Sequence, residues 1–166
     1  MRRYLLDTGI AGRYIDRRLG VYERARSEAS LRNWIGIAHS VLAELAYRAE
    51  GGPNRDRNLQ RLQLALAAWK LWPVTEEAAI EYRRIAAALR RGGRPIGQND
   101  MMIAAIALTL GNCTVVTMDG DLSAVTGLTV ENWTSGNAHL SRIPLPHFPY
   151  NRHWPYILSR LSGFRC

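Results

Sequence analysis

The chain has 166 residues, enough for one domain to bury a substantial core, and its two cysteines, Cys113 and Cys166, offer no disulfide framework and suit a reducing cytoplasm. No stretch approaches the roughly 20 apolar residues of a membrane span, and "MRRYLLDTG" reaches Asp7 without a long apolar region, which excludes a signal peptide and predicts a soluble, cytoplasmic protein. The net charge is +8, from 22 basic against 14 acidic residues, and every cation except Lys70 is arginine. Arginine's planar fork matches phosphate oxygens, so nucleic acid is a candidate partner, although a genome rich in G and C would produce the same bias.

Residues 3–6, "RYLL", read as a short buried strand that ends at Asp7, and Thr8-Gly9 begins a helix through about residue 19. Residues 21–32 are charged with little apolar face, which predicts an exposed helix or a lid. "WIGIA" at 34–38 is a second strand, followed by Ser40 as N-cap and a helix with Val41, Leu42, Leu45, Ala46 and Ala49 on one face. Glu44 lies off that stripe. "EGGPN" at 50–54 is a loop, and Leu59, Leu62, Leu66 and Trp69 recur at helical spacing as far as "LWPV", a short strand or extended link at 71–74.

Thr75 caps the next helix, with Glu76 and Glu77 in its first turn, Ala79, Tyr82, Ala86 and Leu89 as its buried face, and Arg90-Arg91 before a Gly92-Gly93 stop. Asp100 then stands in front of eight consecutive apolar residues, Met101 to Leu108, and the helix stops near Gly111. A segment apolar on every side is expected to be buried on every side. "TVVT" at 114–117 is a further buried strand running into Asp119, and "LTVENW" at 128–133 is the last. Strands alternating with helices predict an α/β fold, with a mostly parallel sheet of four to five strands and helices on both faces, in which ligands bind beyond the carboxyl ends of the strands.

The segment 134–166 differs from the rest. It holds four of the seven prolines, three of the four histidines and four arginines without an acid, so it reads as a basic extension to a domain at 1–133. "HWPYILSRL" within it is amphipathic, and a folded extra helix, an RNA-contacting arm and a mobile extension are all compatible with it.

Four acids stand at comparable places: Asp7 ends the first strand, Glu44 follows the second by a helical turn, Asp119 follows "TVVT", and Asp100 heads the buried helix. Each has a plainer reading, Asp7 as a turn former, Glu44 as a solvated helix residue, Asp119 in an Asp-Gly turn and Asp100 as a helix cap. Together they can converge on one cleft. Two carboxylates about 5 Å apart repel by roughly 3 kcal/mol at an effective dielectric near 20, so a proton or a divalent cation must offset the charge. Oxygen ligands without Cys or His select Mg²⁺ or Mn²⁺ over Zn²⁺, and such a site points to phosphoryl chemistry. Thr8 and Thr117, beside two of the acids, are candidates for orienting ligands or water.

"YLLDTG" at 4–9, "SVLAEL" at 40–45, "RRGGRPIGQNDMMIAAIAL" at 90–108 and "VVTMDGDLSAVTGLTVENW" at 115–133 together resemble the PIN-domain ribonucleases, specifically the VapC toxins of toxin–antitoxin pairs. The resemblance covers residues 1–133 and implies a PIN-like fold with Asp7, Glu44, Asp100 and Asp119 as the acidic metal site. It further implies Mg²⁺- or Mn²⁺-dependent endonucleolytic cleavage of RNA of the tRNA or rRNA class, a homodimer and a cognate VapB-like antitoxin. Three departures stand out. Gln98 replaces a frequent proline, Asp121-Leu122 comes one residue early so that Asp119 and Asp121 compete as fourth acid, and 134–166 has no counterpart. From another class, a non-catalytic Arg-rich module gripping RNA or a partner also fits the composition, and metal-dependent turnover separates the two.

Overall fold

The structure is a computed structural model that describes residues 1–134, so the readings of the basic extension lie, Thr134 apart, outside the described residues. Five parallel strands form one sheet in the order β3-β2-β1-β4-β5, with β1 at Arg3–Leu6, β2 at Trp34–Ala38, β3 at Lys70–Trp72, β4 at Cys113–Val116 and β5 at Thr129–Glu131. The central strands read as continuous apolar runs because both faces are covered: Tyr4, Leu5 and Leu6 of β1 and all of β4 are buried. In register, Leu6 lies between Ile37 and Val116.

Helices α1 (Thr8–Asp16), α2 (Val21–Ser30), α3 (His39–Gly51) and α4 (Arg55–Leu66) connect β1 to β2 and β2 to β3. Helices α5 (Glu76–Arg91) and α6 (Gln98–Leu110) return the chain from β3 past β1 to β4. Right-handed crossovers in opposite directions place these two groups on opposite faces. The order therefore reverses between β1 and β4, and a crevice opens at their carboxyl ends. Among the described residues no helix is long and apolar enough to cross a membrane.

Several elements depart from the sequence expectation in instructive ways. The charged segment at 21–32 is no lid: α2 is docked through Val21, Ala25 and Glu28, the last buried because Arg24 pairs with it at 2.8 Å and Asn33 donates to it at 2.8 Å. Helix α1 stops at Asp16 because Arg17 turns left-handed, with φ 52°. Helix α3 begins at His39 with Ala38 as cap, and Ser40 caps nothing. Helix α4 ends at Leu66, so Trp69 packs into the core from beyond it. Strand β3 starts one residue earlier than expected and stops before Pro73.

Thr75 does cap α5, accepting from the Ala78 N–H at 3.2 Å, but the buried face is Ala78, Ile85 and Leu89 with Tyr82 half-buried, while Ala79 is exposed. Alanine is too small to reveal which of two adjacent positions faces inward. Helix α6 is buried all round from Ile103 to Ala107, as its uniform apolarity requires. The last strand is short because Trp133 turns back, donating to Glu131 at 2.9 Å and packing on Tyr4 with ring centroids 5.1 Å apart. Gly36 permits the tightest approach in the sheet, since a Cβ there would stand 2.1 Å from the Lys70 carbonyl oxygen.

Candidate active site

Asp7 leaves the end of β1, where its own N–H bonds to the Val116 carbonyl at 3.0 Å, and it serves as N-cap of α1. Its Oδ1 accepts from the Ile10 N–H at 2.6 Å. The Thr117 hydroxyl donates to the Asp7 carboxylate and accepts from the Asp119 N–H at 2.9 Å, so one buried threonine ties the first acid to the loop of the fourth. The plain turn-former reading of Asp7 is thus half right: the side chain caps a helix and also faces other acids.

Glu44 projects from α3, half-buried, and is held from three sides. The buried Thr8 hydroxyl donates to its Oε2 at 2.7 Å, Asn99 Nδ2 donates to the same oxygen at 3.2 Å, and Arg48, one turn on, bonds Oε1 at 2.5 Å. A solvated helix residue would not be gripped this way. Asn99 and Asp100 come from the first turn of α6, whose N-cap is Gly97, so Asp100 is not the cap. Its Oδ2 folds over Gly97, where a Cβ would come within 2.8 Å. A side chain at 97 would push the carboxylate away.

The electrostatics report convergence. Asp100 is raised above the usual carboxylate range, first by burial and then by the charges of Asp119, Asp7, Glu44 and Asp121, in that order. Asp7 is also raised, by burial ahead of the Asp119 charge, against the lowering effects of the Thr117 and Ile10 hydrogen bonds and the Arg13 charge. Asp100 thus feels the charge of the other four acids, and Asp7 that of Asp119. Asp119 acts on both Asp7 and Asp100, whereas Asp121 acts weakly and on Asp100; its N–H donates to Asp119 Oδ1 at 2.9 Å. Thr8 and Thr117, candidates for orienting ligands, are both buried beside the acids.

Three neighbours were not singled out from sequence. Arg13 lies on α1, its Nε donating to the Met118 sulfur at 3.0 Å, and its charge reaches Asp7. Asn99 was hidden in plain view beside Asp100, and its Oδ1 is buried without a hydrogen-bond partner among the described residues. Arg48 follows Glu44 at the i,i+4 spacing of helical ion pairs, a signal that was available.

Among the described residues no three acidic, His or Cys side chains are drawn close enough to enclose a metal ion by themselves. The donor set is nonetheless wholly oxygen, and its mutual repulsion fits a hard divalent cation. Mg²⁺ commonly uses one or two carboxylates and completes its shell with water and phosphate, so an open acidic crevice is compatible with it.

A profile of the PIN domain matches residues 4–128. Ribonuclease VapC2 of Rickettsia felis is 28% identical over 131 residues, covering 78% of this chain and 97% of the relative. A ribonuclease VapC2 of Haemophilus influenzae is 31% identical over 134 residues, covering 80% and 99%. Among solved structures, VapBC2 of Rickettsia felis bound to a DNA fragment from its promoter superposes with a TM-score of 0.74 at 28% identity, over 79% of this chain and 98% of that one. DNA-bound VapBC of Salmonella typhimurium gives 0.72 at 29% identity, over 80% and 99%. The profile spans β1 through β4, and the relatives cover about four fifths of the chain and nearly all of their own length: the chain belongs to the PIN-domain family, in its VapC group.

Proposed function

We propose that this protein is a Mg²⁺- or Mn²⁺-dependent endoribonuclease, the toxin of a toxin–antitoxin pair, working as a homodimer in the cytoplasm. The observation that best supports the reading is that Asp100, in the first turn of α6, feels the charges of Asp119, Asp7 and Glu44, with Asp7 standing at the end of β1 as N-cap of α1. The names of the relatives support the activity: several are ribonucleases, and one from Shigella flexneri, 28% identical over 141 residues, is a tRNA(fMet)-specific endonuclease. Structured RNA of the tRNA or rRNA class is the proposed substrate. The VapBC assemblies among the structural neighbours support a VapB-like antitoxin as partner.

In this reading Asp7 and Asp100 hold the cation, with Glu44 and Asp119 completing the acidic surround. A divalent cation bound there supplies positive charge for the scissile phosphate and leaving oxygen and makes water more acidic. Asp7 is presented in a fixed direction because Ile10 N–H and the Thr117 hydroxyl hold it. Glu44 is fixed by Thr8 and Asn99, which leaves it able to orient an attacking water through its held carboxylate. Asp119 is the better fourth acid, since its charge reaches both Asp7 and Asp100 and that of Asp121 is weaker.

Incubating purified protein with total RNA, with Mg²⁺ or with EDTA, tests the proposal. Cleavage in Mg²⁺ that stops in EDTA, with ends lacking a 2′,3′-cyclic phosphate because water attacks, is expected. Undiminished cleavage in EDTA, or by the Asp100→Asn variant, overturns it.

A further inference from the structure

An acidic crevice that takes a polyanion has a physical difficulty, because five carboxylates repel the phosphates that must approach them. Cations flanking the crevice would offset this. Cations gather on α5, the helix before the one that carries Asp100, where a groove of about 600 Å³ runs between α5 and residues 124–126. Arg84 and Arg91 line it from one helix face, with Ala87 and Ala88 between them as a low floor, and Arg83 and Arg94 line it as well.

The bland account of these arginines covers only part of them. Cations at a helix C-terminus complement its dipole, which explains Arg90 and Arg91. Arg83 and Arg84 are in the middle of α5, where the dipole gives no reason for charge. Arg84 pairs at 3.0 Å with Glu81, which also lines the groove; the glutamate side chain is only 22% exposed but the arginine's is 71%, so the guanidinium keeps donors turned to solvent that can take a second anion. Arg83, Arg91 and Arg94 make no side-chain hydrogen bond or ion pair among the described residues.

The spacing also suits a nucleic-acid strand. Seven residues of helix separate Arg84 from Arg91, about 10.5 Å at 1.5 Å per residue. That exceeds the spacing of neighbouring phosphates on one strand, so the two forks can hold different phosphates of the same backbone. Arg94 and Asp100 are six residues apart, so the groove ends within about 20 Å of the acids. The alanine floor leaves room for a sugar-phosphate backbone between the two forks.

We infer that the groove between α5 and residues 124–126 is a phosphate track, in which Arg84 and Arg91, with Arg83 and Arg94, grip the RNA backbone a few nucleotides from the scissile bond. The inference rests on the ribonuclease reading for its polymer, but its test does not depend on cleavage. The contacts are sequence-independent: they position the strand and leave target choice to other surfaces.

The test is the salt dependence of binding. A fluorescently labelled single-stranded RNA oligonucleotide is titrated with full-length protein in EDTA, which removes competing divalent cations, across a range of monovalent salt. Arg84→Gln/Arg91→Gln should flatten the slope of log K against log salt by about 1.4, two contacts at about 0.7 each. Arg18→Gln/Arg32→Gln, which removes the same charge outside the groove, should leave the slope as in the unaltered protein. Both doubles should melt at the parental temperature, since none of the four side chains is buried. Equal slopes for the two doubles and the parent overturn the inference, as does a groove double that loses binding of a poly-glutamate peptide while keeping the RNA slope. A flattened slope in a protein that never cleaves RNA sustains the track and defeats the ribonuclease reading instead.

Discussion

Replacing Asp7 in two ways separates the two jobs of that side chain. Its Oδ1 accepts from the Ile10 N–H at 2.6 Å, a capping bond that asparagine can also make and alanine cannot. Losing such a cap costs about 1 kcal/mol, or roughly 3 °C of melting temperature in a domain of this size. Asp7→Ala should therefore melt about 3 °C below Asp7→Asn. The charge acts in the opposite direction. Burial and the Asp119 charge raise Asp7 despite its hydrogen bonds, so the ionised form is disfavoured in the folded state. For a carboxylate raised in this way, the stability it contributes is present at low pH and is lost as pH rises through the folded-state value. Asp7→Asn, which carries no charge, should melt above the parent at pH 8 in EDTA, and the gain should shrink toward pH 4. Calorimetric melts across that range decide the matter. A variant that melts below the parent at pH 8, or a gain independent of pH, would refute the reasoning.

Four further outcomes follow from the structure. Thr8→Val removes the hydroxyl that holds Glu44 and should lower RNA cleavage about 10- to 100-fold while raising the Mg²⁺ concentration required; an unchanged Mg²⁺ dependence in titrated cleavage assays would count against that role. Asp119→Asn should impair cleavage more than Asp121→Asn, since Asp119 acts on both Asp7 and Asp100, and the reverse order of rates would make Asp121 the fourth acid. Gly36→Ala should lower the melting temperature by at least about 6 °C, because its Cβ meets backbone at Lys70 and no rotamer change relieves it. Gly12→Ala meets nothing within 4 Å inside α1 and should raise stability by up to about 1 kcal/mol, so equal effects from both glycines would contradict the packing described.

What the sequence made legible follows from where its signals are strong. Buried parallel strands are short unbroken apolar runs, and β1, β2 and β4 were readable as such, each ending close to a residue with chemistry. The acids stood out because charge at the edge of a core is costly and needs a reason. Other features depended on partners far away in the chain. Glu28 is buried because Asn33 and Arg24 satisfy it, and its segment, read alone, looks solvated. The exact face of α5 is set by what α6 presents to it, which alanines cannot encode. The roles of Arg13 and Asn99 required knowing that α1 and α6 begin at the same end of the sheet. Ser40 had the composition of a cap, yet the chain enters α3 one turn position earlier, at His39.

The account as a whole depends on the acids sharing one cation. Calorimetric titration of Mn²⁺ into RNA-free protein addresses this most directly. Saturable binding by the parent that is lost in both Asp7→Asn and Asp100→Asn, with both variants folded by circular dichroism, is the predicted result. Binding of the same affinity in Asp100→Asn and in the parent would show that the two carboxylates serve no common site.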